Sequence, residues 1–190
     1  MADKRTKPEL EAEALRLDYA YDRAVNFKDR VVRLDGEVEE DCDFALIDFA
    51  LSEMERESKK AITIRLKSYG GSVTEALAVI GRMSRSKCQI IVEGYGMIMS
   101  AATIIMASAN KRCISKYATV MHHQSSYGAY GKHDDVQHTV QQMEKEEKIW
   151  SGWMAEFSNK DSDFWYKKAK KDFYFTADEA LELGLVDEVF

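Results

Sequence analysis

The chain has 190 residues, an ordinary globular composition and a formal net charge of −6, which excludes a strongly basic nucleic-acid surface. Its three cysteines, Cys42, Cys88 and Cys113, are scattered, which excludes both a disulfide framework and a zinc motif and makes a reducing cytoplasm the expected compartment. The start, Met1 to Arg5, leads into charge rather than an apolar run, so no cleavable signal is expected, and no repeat or proline-rich linker divides the chain.

Residues 1–8 read as a frayed end. From Glu9 to about Val25 the residues Leu10, Ala14, Leu17, Tyr21 and Ala24 form one apolar stripe, the pattern of an amphipathic helix. Such a helix either caps its own domain or meets a neighbouring subunit. Arg30 to Leu34 is a short expected strand and Asp35-Gly36 an expected turn. Asp41 to Glu57 places Phe44, Ile47, Leu51 and Met54 on one helical face. Ala61 to Leu66 alternates and is β-branched, hence a strand. Gly70-Gly71 then reads as a turn, and Ser72 with Glu75 has capping-box spacing ahead of Val73, Ala76, Leu77 and Ile80.

Cys88 to Glu93 is a strand that runs into the most apolar part of the chain, Gly94 to Ala109, which holds no charged residue. Its Gly-x-Gly opening predicts a sharp turn. The remainder, apolar on all sides, predicts a buried helix. A membrane span needs roughly 20 apolar residues, more than this run supplies. Ser100 stands where that helix would begin. A serine there is either a plain N-cap or a nucleophile beside helix amides that stabilise an anion.

Lys111 to Ser115 and Ala118 to His122 are further strands, Tyr127 to Gly131 a loose connection, and Asp134 to about Asn159 a long helix. Its residues Val136, Val140, Met143, Trp150, Met154 and Phe157 recur with a period near 3.5, interrupted by Glu147, which suits a helix-on-helix seam. Asp161 to Lys171 is a short charged helix, and Phe173 to Phe175 a strand. Thr176 with Glu179 is a second capping box, Gly184 a helix stop and Leu185 to Val189 a closing strand. Strands alternating with helices predict an α/β fold with crossovers.

Serine hydrolysis needs a hydroxyl, a base, a group that orients the base and amide donors. Ser100 offers the hydroxyl, His122 or His123 the base, Asp172 the orienting carboxylate and Gly70-Gly71 a bare amide. Spacing alone does not assemble them. His133, Asp134, Asp135 and His138 form a weaker cluster whose plain reading is a solvated helix start, so no metal is expected there.

Four segments do assemble the pieces: Lys67 to Val73, Gly94 to Ala101, Val120 to Gln124, and Phe175 to Ala180 with Gly184 to Asp187. In this order they resemble the proteolytic subunit of caseinolytic protease, the ClpP family, from about Arg30 to Phe190. The resemblance implies Ser100 as nucleophile, His123 rather than His122 as base, Asp172 as acid, and the amides of Gly71 and Ala101 as oxyanion donors. It implies a crotonase-like fold of repeated ββα units, with a 30–190 peptidase domain behind a 1–29 extension and the helix from Asp134 as a protruding handle. It implies a self-compartmentalised serine endopeptidase in stacked, heptameric homo-oligomeric rings, acting on unfolded polypeptides, with a Clp-type unfolding ATPase as a further partner. Two other readings remain, a crotonase-fold acyl-thioester enzyme and a non-catalytic ring or shell protein. No nucleotide-binding glycine loop is present, so no cofactor is expected and ATP use belongs to a partner chain. No nucleic-acid or membrane partner is expected. Three features depart from the family pattern: Tyr69 replaces its usual proline, the first thirty residues are unlike it, and the interval from Ser100 to His123 is slightly short.

A histidine base predicts that activity falls as the pH drops through about 6.5, the reference value for imidazole. Initial rates of peptide hydrolysis between pH 8 and 5 test this; a flat profile would count against the assignment.

Overall fold

The computed structural model describes residues 6–8, 11, 25–39 and 43–190. The helix expected from Glu9 to Val25 lies outside these residues except at Glu11 and Val25, and Cys42 lies outside them as well. Among the described residues, eight strands form one sheet. In chain order they are β1 (Val25–Asn26), β2 (Val31–Val38), β3 (Ile62–Gly71), β4 (Ile90–Met99), β5 (Lys111–Ile114), β6 (Thr119–His122), β7 (Phe173–Thr176) and β8 (Glu188–Val189). The helices are α1 (Asp43–Glu57), α2 (Val73–Ser84), α3 (Ala101–Ala107), α4 (His133–Glu156), α5 (Ser162–Lys168) and α6 (Ala177–Glu182). The fold is mixed α/β, and the first described strand of its sheet is Val25–Asn26.

Strands β2, β3, β4, β5 and β8 run parallel in that order, with β1 antiparallel on the β2 edge. Alternation decides which face is core. Val32 and Leu34, Ile62, Ile64 and Leu66, and Ile90 and Val92 are buried. The residues between them form a charged row, Arg33 beside Arg65 beside Glu93, on the other face. Ile47, Leu51 and Met54 of α1 and Val79 and Met83 of α2 join the buried cluster, while Phe44 stays partly exposed.

Several glycines expected in turns lie in strands instead. Asp35-Gly36 continues β2, and the register slips between Gly36 and Glu37. Gly70-Gly71 ends β3 with positive φ at both residues. Gly94 to Gly96 lies inside β4. There the step from Gly94 to Ile98 faces the shorter step from Leu66 to Ser68, so β4 carries extra residues and bulges. The bulge lets one strand serve two neighbours: Ile91–Gly94 pairs with β5 and Met97–Met99 with β6. The buried helix expected to begin at Ser100 runs over Ala101–Ala107. At the other end, the closing strand is confined to Glu188–Val189.

Capping follows the sequence in part. Thr176 and Glu179 form the full reciprocal box. Ser72 accepts from the Glu75 amide, but its own N–H donates to the Val38 carbonyl and the Glu75 carboxylate accepts from the Phe44 amide. That arrangement ties α1 to α2.

Arg30 is a buried peg at the end of the sheet. Its guanidinium donates to the carbonyls of Met54, Ser58, Lys60 and Ala61, closing the α1–β3 connection around one side chain. Truncation leaves buried carbonyls unpaired, so Arg30→Ala is expected to cost about 3 kcal/mol. Arg30→Lys, which lacks the planar fork, is expected to recover less than half of that. Urea denaturation of the three proteins measures both.

Candidate active site

Ser100 sits between the end of β4 and the start of α3. It occupies the N-cap position with φ 54° and ψ −124°, but its side chain makes no capping hydrogen bond and is left for other work. Positive φ in a residue with a Cβ is strained, and neighbours must hold it. The Ser100 N–H donates to the Met121 carbonyl at 2.8 Å. Thr103, fully buried, donates from Oγ1 toward the same carbonyl at 2.8 Å and toward the Ile98 carbonyl at 3.2 Å. The sharp strand-to-helix corner lifts the hydroxyl out of the fold.

The Gly70-Gly71 end of β3 lies against this corner. A Cβ on Gly70 would stand 2.6 Å from the Ser100 Cβ, 2.7 Å from the Met99 carbonyl oxygen and 3.1 Å from the Ala101 amide nitrogen. Only glycine fits there. The segment holding the Gly71 amide and the N-terminal amide of α3 at Ala101 are thereby brought side by side.

The two adjacent histidines diverge. His122 is the last residue of β6 and points into the core, its ring edge-on to Trp165 with centroids 5.4 Å apart. His123 emerges beside Ser100. Its Nε2 lies 2.9 Å from Ser100 Oγ, and its Nδ1 lies 3.1 Å from Asp172 Oδ1. The tautomer that satisfies both contacts has Nδ1–H donating to the carboxylate and Nε2 accepting from the hydroxyl. Strand pairing creates this geometry. β6 and β7 are antiparallel with His122 opposite Phe173, so the residues just beyond that pair, His123 and Asp172, are neighbours. The Gln124 N–H donates to the Ala169 carbonyl at 2.8 Å and fixes the chain just past the imidazole.

A family model for Clp protease matches residues 15–190. The chain belongs to the Clp protease family. Membership supports a peptidase, and the mixed α/β sheet agrees with it.

Within this Clp protease fold, Glu147 is a neighbour of the site that the sequence pattern did not reveal as such. It stands out in the sequence only as a charge on the otherwise apolar side of the long helix. It is 7% exposed, and its Oε1 accepts from the Ser125 N–H at 3.0 Å. Burial raises its carboxyl above the usual carboxylate range, against the lowering pull of the Ser125 amide, the Gln124 side chain and the His123 charge. The side that α4 buries is therefore Glu147, Ser151 and Met154, and its first turns, with His133, Asp134, Asp135 and His138, are exposed. Among the described residues, no three histidine, cysteine or acidic side chains converge as a metal site. No helix among them is long and apolar enough to cross a membrane.

Among the described residues, His122 Nε2 has no hydrogen-bond partner. Burial, and secondly the His123 charge, push its pKa down to about 4 from 6.5. Between those values the unfolded chain binds a proton that the folded chain refuses. Stability is therefore lost as the pH falls from 6.5 to about 4, by about 3 kcal/mol at most from this group. Replacing it with His122→Phe, which keeps a ring against Trp165 without a titrating group, is expected to flatten that part of the stability curve. Denaturant midpoints at pH 7, 5.5 and 4.5 measure the difference.

Proposed function

We propose that this Clp-family chain is a serine endopeptidase that uses Ser100 as nucleophile, His123 as base and Asp172 as the orienting acid. The observation that carries the reading is the hydrogen-bonded line from Ser100 Oγ through the His123 ring to Asp172. In the first step Oγ bonds to the peptide carbonyl carbon while its proton passes to His123 Nε2. The carbonyl oxygen becomes an oxyanion facing the amides of Gly71 and Ala101. Its collapse breaks the C–N bond, and His123 returns the proton to the leaving amine. Water, deprotonated by the same imidazole, then releases the acyl group and restores Ser100. Asp172 holds the tautomer and stabilises the imidazolium. Its side chain is about half exposed, so its role is chiefly orientation, because solvent screens its charge.

The wider assembly is part of the same proposal. Homo-oligomeric stacked rings would enclose the sites in a cytoplasmic compartment, with unfolded polypeptides as substrates and a Clp-type unfolding ATPase as the feeding partner. The family supports this, as do the length of α4 and the exposure of Val140 and Ile149 along it. The acyl-thioester and non-catalytic alternatives lack a comparable supporting observation.

A fluorophosphonate is expected to label Ser100 covalently, located by peptide mass mapping. Ser100→Ala is expected to abolish labelling and to cut peptide hydrolysis by roughly 10⁴-fold or more. An unlabelled wild-type protein that hydrolyses no peptide would overturn the reading.

A further inference from the structure

Two carboxylates stand near His123. Asp172 meets Nδ1 directly and is about half exposed, so solvent screens its charge. Glu147 comes from α4, is buried, and borders a recess that Ser100, His122 and His123 also line. Its Oε1 accepts from the Ser125 N–H at 3.0 Å, two residues beyond the imidazole, and the Gln124 side chain bonds to the same carboxylate. The Gln124 N–H is held in turn by the carbonyl of Ala169, the C-cap of α5. The backbone that leaves His123 is therefore fixed at two successive amides, one by α5 and one by Glu147.

A carboxylate is a costly choice for this place if its only task is to accept from an amide. Burying a charge is unfavourable, and a glutamine side chain would accept the same hydrogen bond without one. What the charge adds is a field at the neighbouring imidazole, stronger where solvent is excluded. Its interaction with the His123 charge is favourable. Among the described residues, no lysine or arginine contributes to its ionisation. Along α4, Glu144, Lys145 and Lys148 are exposed, and Glu146 accepts from Gln142. On α5, which packs against α4, Asp163, Lys167 and Lys168 are exposed. His122 is held neutral by burial. The buried charge of Glu147 is thus left to act on His123.

We propose that Glu147 is a positioning residue for His123: its carboxylate fixes the backbone from His123 to Ser125, and its charge stabilises the imidazolium that forms as Ser100 attacks. The proposal rests on the serine-peptidase reading and deepens it. Asp172 sets the tautomer at Nδ1, while Glu147 supplies a charge that water does not screen. That charge has two opposite effects, which identify it. It favours the protonated imidazole, so it speeds turnover, and it also makes the resting base easier to protonate as the pH falls. Removing it therefore slows the reaction at neutral pH and moves the acid limb of the pH profile toward lower pH. Loss of packing alone slows the reaction and leaves the limb in place.

Full-length Glu147→Gln and Glu147→Ala, assayed beside wild type on one fluorogenic peptide between pH 5 and 8, test it. Glutamine keeps an acceptor for the Ser125 amide without the charge. It is expected to lower kcat by roughly three- to tenfold with KM unchanged, and to move the acid limb down by about half a pH unit or more. Alanine, which also leaves the Ser125 amide unpaired, is expected to lower kcat by roughly a further tenfold. Should either variant fail to fold, Glu147→Asp decides. It keeps the charge but not the reach, and is expected to lose kcat while keeping the wild-type acid limb. A glutamine variant with wild-type kcat and an unmoved limb overturns the role of the charge. An alanine or aspartate variant with wild-type kcat overturns the positioning of His123. Either result, with wild type active and labelled at Ser100, leaves the peptidase reading intact. Wild-type protein that is neither labelled nor active overturns both proposals.

Discussion

One strained residue organises the site. Holding Ser100 at φ 54° costs on the order of 1–3 kcal/mol, which the surroundings must supply. They do so with the amide bond to Met121, the buried Thr103 hydroxyl that reaches Ile98 and Met121, and a following helix whose residues are all buried. The corner also dictates the residue opposite it. Because the Ser100 Cβ occupies the space where a side chain at position 70 would go, β3 must present glycine there. The position of the Ser100 hydroxyl, the glycine strand and the helix amide are thus consequences of a single backbone conformation.

The imidazole and carboxylate are placed by a different device. β6 is the middle strand of the site, parallel to the end of β4 on one side and antiparallel to β7 on the other. The first pairing sets its height relative to Ser100, and the second sets Asp172 beside His123. β6 can reach β4 only because the bulge at Gly94 to Gly96 carries β4 past the end of its pairing with β5. An irregularity in one strand therefore governs contacts made by residues far away in sequence.

Much of the element order was legible in the sequence, because burial on one face imposes its period. The 3.6-residue repeat of Ile47, Leu51 and Met54 and the alternation of Ile62, Ile64 and Leu66 describe faces that are buried in the structure. Glycine was the main source of error. It marks turns statistically, yet here Gly36, Gly70 and Gly96 supply positive φ inside strands, where bulges and a close backbone approach require it. The site was only partly legible. Adjacent residues in a strand face opposite ways, so one of His122 and His123 had to be buried, but strand phase at the end of β6 could not be read from local residues. Asp172 in its lysine-rich setting looks like a surface acid and is in fact half exposed. Only its pairing across β6 and β7 distinguishes it, and that is information carried by tertiary structure. Glu147 broke an apolar stripe, and its partner, a backbone amide, left no trace in the sequence.

The β6–β7 pairing also separates two contacts by chain distance. Ser100 and His123 are 23 residues apart, whereas Asp172 lies 49 residues beyond His123. The place of Asp172 depends on one short antiparallel ladder, Thr119 to His122 against Phe173 to Thr176. A local opening of β7 would release the carboxylate and leave the hydroxyl–imidazole contact, which β4 and β6 hold, in place.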